Sequence, residues 1–335
     1  MKHLKFAPAV LAVGAVSVLL AACSAGDGTT PSAPADGGQS GESIPLTIAV
    51  PPSAFAATLY LGVNEGIFAG AGFDVTLAPS TSMAETVPQL LSGDLDYIYA
   101  DVHNTLIAAS ENVPLVMTAP ITTTASADPE QKGFANVLTL ETSPITSPSD
   151  LAGATIGTNS INGQAMLDAI EVLERQGVET DEIEWVGIPG PQLATALRQG
   201  QVDAVTLGEP GATATLVEGG VRFVLALDGG LLDTPMAGLT TLADTVALDP
   251  GAAERFRDAV IEANELALED PQLAYDAMAG YMPIPPEILE QSVLPLWATT
   301  PFAADSVEPI LERLERLNLL SVDRAPDLDA VFPTL

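Results

Sequence analysis

In 335 residues, 44 acidic side chains face 11 basic ones, for a formal net charge of −33 at pH 7. That balance excludes a nucleic-acid partner, which requires a basic footprint, and reads mostly as a solvated surface that keeps the chain soluble. The length exceeds one ordinary domain and predicts two lobes, 47% hydrophobic residues are enough for sizeable cores, and one cysteine leaves no disulfide and no cysteine-based metal site.

Lys2 and Lys5 precede the apolar run FAPAVLAVGAVSVLL, which leads to LAAC at Leu20–Cys23. A basic start before a short apolar run is a targeting segment, and the run is too short for an ordinary membrane span. It resembles a bacterial lipoprotein signal, residues 1–22, after which Cys23 becomes the lipidated first residue. Loss of that segment removes two lysines and no acid, leaving nine bases against 44 acids, a net charge of −35. Residues 23–43 then comprise the lipidated cysteine and a Gly/Ser/Pro-rich tether, with a reach of roughly 25 Å by random-coil scaling. No later stretch is long enough to span a bilayer, so the lipid is the expected anchor, on the outer face of the cell membrane.

The body opens with the strand PLTIAV, a helix in AATLYLGVNEGIFAGAG, the strand FDVTLAPS, the helix STSMAETVPQLLSG and the strand DLDYIYAD. The same order recurs from LAGATIGTN: strand, the helix SINGQAMLDAIEVLERQG, the strand EIEWVGIPG, the helix PQLATALRQG and the strand QVDAVTLGEP. Both halves are therefore parallel α/β units. Each has a glycine stop (Gly93, Gly200), an aspartate three residues on (Asp96, Asp203) and an acid at the strand end (Asp101, Glu209). Strand-like runs between the halves and after the second predict two crossings, hence a hinge and a cleft. Amphipathic C-terminal helices broken at prolines are expected to pack back on the first lobe. The expected division is lobe 1 at 44–130 plus 228–335 and lobe 2 at 131–227.

The segments LYLGVNEGIFAGAGFDVTLAP, LLSGDLDYIYAD, SPSDLAGATIGTN and ALRQGQVDAVTLGEP, in this order, resemble the substrate-binding proteins of ABC importers. The nearest group is the nitrate, sulfonate and taurine type, which includes binders of thiamine-pyrimidine precursors. The resemblance covers roughly residues 45–300 and implies a bilobal, type II periplasmic-binding-protein-like α/β fold. It also implies a monomer that closes on a small solute and delivers it to a membrane permease driven by an ATPase. No cofactor and no metal are expected.

Open α/β sheets place ligands beyond strand C-terminal ends, which selects Ser53, Phe55, Thr81, Ser82, Asp101, His103 and Asn104 in the first half. The second half offers Thr158, Asn159, Ser160, Asn162 and Glu209, with Gly190 nearby. Hydroxyl and amide groups at helix N-termini suit an anion but are also ordinary caps. No base occurs between Lys5 and Lys132, which argues against a strongly charged anion, whereas Asp101 and Glu209 suit a solute with donors or positive charge. The same two acids could instead accept backbone hydrogen bonds as framework. Arg175 and Arg198 near glycine stops complement helix dipoles and are not assigned to the ligand. An enzyme on the same scaffold, related to pyrimidine synthases, is the rival reading. His103 is the only histidine after the signal, GxSxG and HExxH motifs are absent, and the cysteine-rich iron segment of those synthases is missing. A sensor lipoprotein without transport is a further alternative.

Overall fold

The computed structural model describes residues 43–80, 82–124, 132–228, 230–231, 233–320 and 322–335. The signal segment, Cys23, the tether up to residue 42 and Thr81 lie outside the described residues. The first half runs β1 (Ile44–Val50), α1 (Ala57–Asn64), α2 (Ile67–Gly70), β2 (Phe73–Pro79), α3 (Met83–Ser92), β3 (Tyr97–Asp101), α4 (Val102–Ser110) and β4 (Leu115–Thr123). The single helix expected after β1 is thus two, because the chain turns at Glu65–Gly66. The loop expected after Asp101 is instead the helix α4.

The second half follows as β5 (Ala135–Leu140), β6 (Thr155–Thr158), α5 (Gln164–Arg175), β7 (Glu184–Gly187), α6 (Leu193–Arg198), β8 (Ala204–Gly208), α7 (Gly211–Val217) and β9 (Val221–Ala226). The chain then returns through β10 (Pro235–Leu242) to α8 (Ala243–Leu248), α9 (Pro250–Glu269), α10 (Pro271–Tyr281), α11 (Pro286–Leu289), α12 (Glu308–Arg316) and α13 (Leu328–Val331). Asp249 and Asp270 cap α9 and α10 by accepting from Ala252 N and Gln272 N, each with proline at the first helical position.

Two five-stranded sheets result, in the orders β2-β1-β3-β10-β4 and β7-β6-β8-β5-β9. In each, three parallel strands meet one antiparallel strand, β10 or β5, that has just crossed from the other sheet. Neither sheet is complete without the other half of the chain.

The repeated Gly-to-Asp pattern has the same job twice. Gly93 (φ 81) and Gly200 (φ 67) stop α3 and α6 in the left-handed region. Asp96 Oδ2 then accepts Thr47 N at 2.7 Å, and Asp203 Oδ2 accepts Thr155 N at 2.9 Å. The aspartates' own N–H groups donate to the Thr47 and Thr155 carbonyls, both at 2.9 Å. Each third strand is thereby pinned to its first.

The core of the first sheet packs Ile48, Leu59, Phe68, Ile121, Phe256 and Trp297 together. Asn264, fully buried on α9, donates to Pro120 O at 3.0 Å and Ala298 O at 2.8 Å, so that α9 holds both β4 and the segment that runs along its edge. Among the described residues no helix is long and apolar enough to cross a membrane.

On β10, a Cβ on Gly238 would meet Ala119 O and Met117 Sδ, each at 2.7 Å. The strand backbone cannot yield without breaking the ladder. Gly238→Ala is expected to cost about 2 kcal/mol by overpacking, read as a lower denaturation midpoint at unchanged m value.

Candidate functional site

The C-terminal ends of β1, β3 and β4 and those of β6, β8 and β9 lie where the chain crosses between sheets, after Thr123 and after Ala226. The crossings are joined side by side: Thr124 N donates to Thr234 O at 2.9 Å and Thr234 N to Thr124 Oγ1 at 3.0 Å. Strand ends from both sheets therefore border one seam.

The two strand-end acids act on helix N-termini. Asp101 caps α4, accepting Asn104 N at 2.8 Å and Asn104 Nδ2 at 2.7 Å. Glu209, 3% exposed, accepts Thr213 N at 3.0 Å and Thr213 Oγ1 at 2.8 Å in the first turn of α7. It also pairs with Lys132 Nζ at 3.1 Å, which in turn donates to Gln291 O at 3.0 Å.

The seam also carries an aromatic group. Phe55 stacks on Tyr99 with centroids 5.7 Å apart and meets Phe134, from the start of the second sheet, at 4.5 Å. Burial, then the Asp101 charge, holds the Tyr99 hydroxyl well above its usual range, so it is a neutral donor. Tyr281 OH donates to Ser53 O at 2.8 Å, while the buried Ser53 Oγ has no partner among the described residues.

Deeper in, four elements meet. Arg313 of α12 pairs with Asp168 of α5 at 2.7 Å and its other terminal nitrogen contacts His103 Nε2 of α4. Gln164 Nε2 donates to Asp168 Oδ2 at 2.8 Å and its side chain lies beside His103. Burial and the Arg313 charge hold the His103 pKa well below its usual value. The ring is therefore neutral and accepts from Arg313 through Nε2, while its buried Nδ1 has no hydrogen-bond partner among the described residues. Gly230 of the second crossing presses on the same carboxylate, since a Cβ there would stand 2.2 Å from Asp168 Oδ1. Burial raises the Asp168 pKa against the opposing pull of Arg313, and it raises that of Asp101 against the Asn104 hydrogen bonds.

The sequence-selected residues are thus distributed as follows. Ser53, Phe55, Asp101, Asn104 and Glu209 border the seam, the last three engaged in capping. His103 is 1% exposed and occupied by Arg313. Thr158 is buried, with its hydroxyl taking Thr206 Oγ1 at 3.1 Å. Asn159 and Ser160 are exposed, and Asn162 adopts φ 59 in the turn before α5. Ser82 is exposed at the N-cap of α3 without a side-chain hydrogen bond. Sequence reasoning passed over Lys132, Phe134, Gln164, Asp168, Asp228 and Arg313. Among the described residues no group of three or more His, Cys, Asp or Glu side chains is placed to hold a metal ion.

Asp228 supplies a pH test. It follows β9 and accepts Phe134 N and, at 3.2 Å, Ala135 N, so it ties the second crossing to the first. Burial pushes its pKa from 3.8 to about 6, with the Asp168 and Glu209 charges adding. A carboxyl raised on folding binds its proton more tightly in the folded state. Its stabilising share is complete below the unfolded value and is lost as pH climbs through the folded one. The melting temperature of the wild type minus that of Asp228→Asn is expected to fall between about pH 4 and 6 and then level off.

For Glu209, truncation to Ala strands Lys132 and the Thr213 N–H, at an expected cost of about 3 kcal/mol. Glu209→Gln keeps one acceptor and is expected to cost less in chemical denaturation.

Residues 54–274 match the family described as NMT1/THI5 like. A formylaminopyrimidine-binding protein of Halalkalibacterium halodurans is 24% identical over 155 residues, 46% of this chain and 44% of that one. The match thus spans less than half of that relative's length. A ligand-binding component of an ABC-type import system from Staphylococcus aureus, solved with zinc bound, superposes with a TM-score of 0.72 at 11% identity, over 86% of this chain and 95% of that one. For the periplasmic aliphatic sulphonate-binding protein of Escherichia coli the values are 0.70, 16%, 88% and 98%. For the periplasmic nitrate-binding protein of Synechocystis PCC 6803 they are 0.71, 15%, 87% and 86%. At such identities the likeness is one of fold, the bilobal type II binding-protein architecture that the paired sheets display. The family match extends over more than half of the 335 residues, and the chain belongs to the NMT1/THI5-like family.

Proposed function

We propose that the protein is the solute-binding component of an ABC importer, and that its solute is a small nitrogen heterocycle rich in hydrogen-bond donors, such as an aminopyrimidine. The observation that carries this reading is the charge pattern of the seam. Three buried or half-buried carboxyl groups, Asp101, Glu209 and Asp228, border it, and the buried Asp168 lies beneath it. The two bases among them, Lys132 and Arg313, are already paired with Glu209 and Asp168. A nitrate or sulfonate entering there would meet carboxylates and break an existing pair, which costs several kcal/mol in a buried setting. A planar ring with N–H groups instead meets acceptors and the Phe55, Tyr99 and Phe134 faces.

Membership of the family and the name of the Halalkalibacterium relative support this choice, and the fold supports a receptor that closes on its solute. Binding rather than catalysis is the reading because His103, the only histidine after the signal, is spent on Arg313. Cys23 would carry a lipid that holds the protein outside the cell membrane, beside the permease and ATPase it serves. Ser53, Phe55, Asp101, Asn104, Asn159, Ser160, Asn162 and Glu209 remain the proposed contacts.

The test is a thermal-shift panel on the chain with Cys23→Ser, comparing aminopyrimidines and a formylaminopyrimidine with nitrate, taurine and alkanesulfonates. The true solute at a thousandfold excess over its Kd stabilises by about 4 kcal/mol. Stabilisation by pyrimidines alone is expected; stabilisation by the anions alone would overturn the assignment of the solute.

A further inference from the structure

The polar cluster at Arg313 does work that the two crossings do not. One face of α12 packs Ile310 and Leu314 into an apolar cluster with Ala100, Val102 and Leu106 of the first half, and Leu167 of α5 joins the same cluster. The opposite charges of α12 and α5 meet along a ladder. Arg313 pairs with Asp168, their side chains 1% and 8% exposed. Arg316 pairs with Glu171 and, at 3.4 Å, with Glu174 in a half-exposed position. The rungs advance by three residues on both helices, which keeps them on facing stripes.

We propose that α12 is a third, non-covalent connection between the two lobes, and that its ladder to α5 sets how far they open in the absence of solute. The guanidinium of Arg313 is the pivot, because it contacts one residue that follows the third strand of the first sheet, His103, and one that follows the first strand of the second parallel unit, Asp168. The second crossing is bound to the same point: Gly230 packs against Asp168, and Arg175 of α5 donates to Gly230 O. Relative rotation of the sheets must therefore either turn about the Arg313–Asp168 pair or break it. Breaking it leaves a buried charge without a counter-ion, which is among the costlier single losses in a fold. Arg316 adds an exposed outer latch that salt weakens. Arg313 and Arg316 are positioning residues here: they act on solute affinity through the population of the closed form.

This inference rests on the reading of the chain as a two-lobed receptor, but its test needs no solute. The full chain with Cys23→Ser contains no other cysteine, so Glu65→Cys and Asp181→Cys place two spin labels on exposed sites, one beside each sheet. The interspin distance distribution of the ligand-free protein is read by pulsed electron resonance, with a thermal melt for each variant. Asp168→Asn is expected to broaden the distribution and shift it to longer distances. Arg316→Gln is expected to give a smaller shift, equal to that produced by 1 M salt in the wild type, and to be insensitive to salt itself. A lower melting temperature with the wild-type distribution in both variants would overturn the proposal, since a purely structural pair lowers stability without moving the lobes. If Asp168→Asn does not fold, Arg316→Gln decides alone: a wild-type distribution at both salt strengths overturns it.

Discussion

Everything at the seam depends on the two aspartates that pin each central strand pair. Asp96 and Asp203 each supply a carboxylate and an N–H to one residue of the neighbouring strand, Thr47 or Thr155. At the start of a parallel pair, where the ladder has no earlier partner, this is a two-point clamp on register. A slip by one residue would send every side chain of the strand to the opposite face. Once β3 and β8 are fixed at their first residue, their last residues are fixed too. Asp101 and Glu209 then reach the N–H groups of the next helix, Asn104 and Thr213. The capped helix ends follow from the clamp rather than being arranged separately.

The exchange of antiparallel strands adds a second constraint. β5 completes the second sheet directly after leaving the first, and β10 does the reverse. The crossings therefore emerge next to each other, and Thr124 and Thr234 can bond across them. A pair of adjacent, mutually bonded crossings bends more easily than it slides, which is the mechanical condition for a hinge. The Arg313 cluster lies against one of these crossings through Gly230, so hinge and ladder act on one spot.

How much of this was written in the sequence varies with range. The βαβαβ order of each half was legible from local periodicity, and so were the glycine stops. The acids at strand ends could be located but not assigned, because capping and solute recognition ask for the same residue at the same place. The helices α4 and α7 were missed, since VHNTLIAAS and GATATLV carry small and β-branched residues with little amphipathic contrast. The ladder had a signal that went unread. Arg313 stands three residues after Ile310 and one before Leu314, and Asp168 stands four before Val172, so both interrupt apolar stripes. A lone charge on a buried stripe demands an opposite charge somewhere. Nothing local says that the partner is 145 positions away.

The acidity of the chain and the pairing of its bases are two sides of one arrangement. Arg257 reaches the Leu335 carbonyl and Asp258, Arg198 the carbonyls of Thr215 and Gly219, and Arg313 and Lys132 take the seam acids. Bases are used here to tie distant segments together, and the unmatched acids are left to water. In the interior that option is closed, and burial shifts Asp101, Asp168 and Asp228 toward the protonated form instead. Such a carboxyl group accepts a hydrogen bond when ionised and donates one when protonated. The same desolvation that raises their pKa thus lowers the negative charge that Lys132 and Arg313 have to balance at the seam.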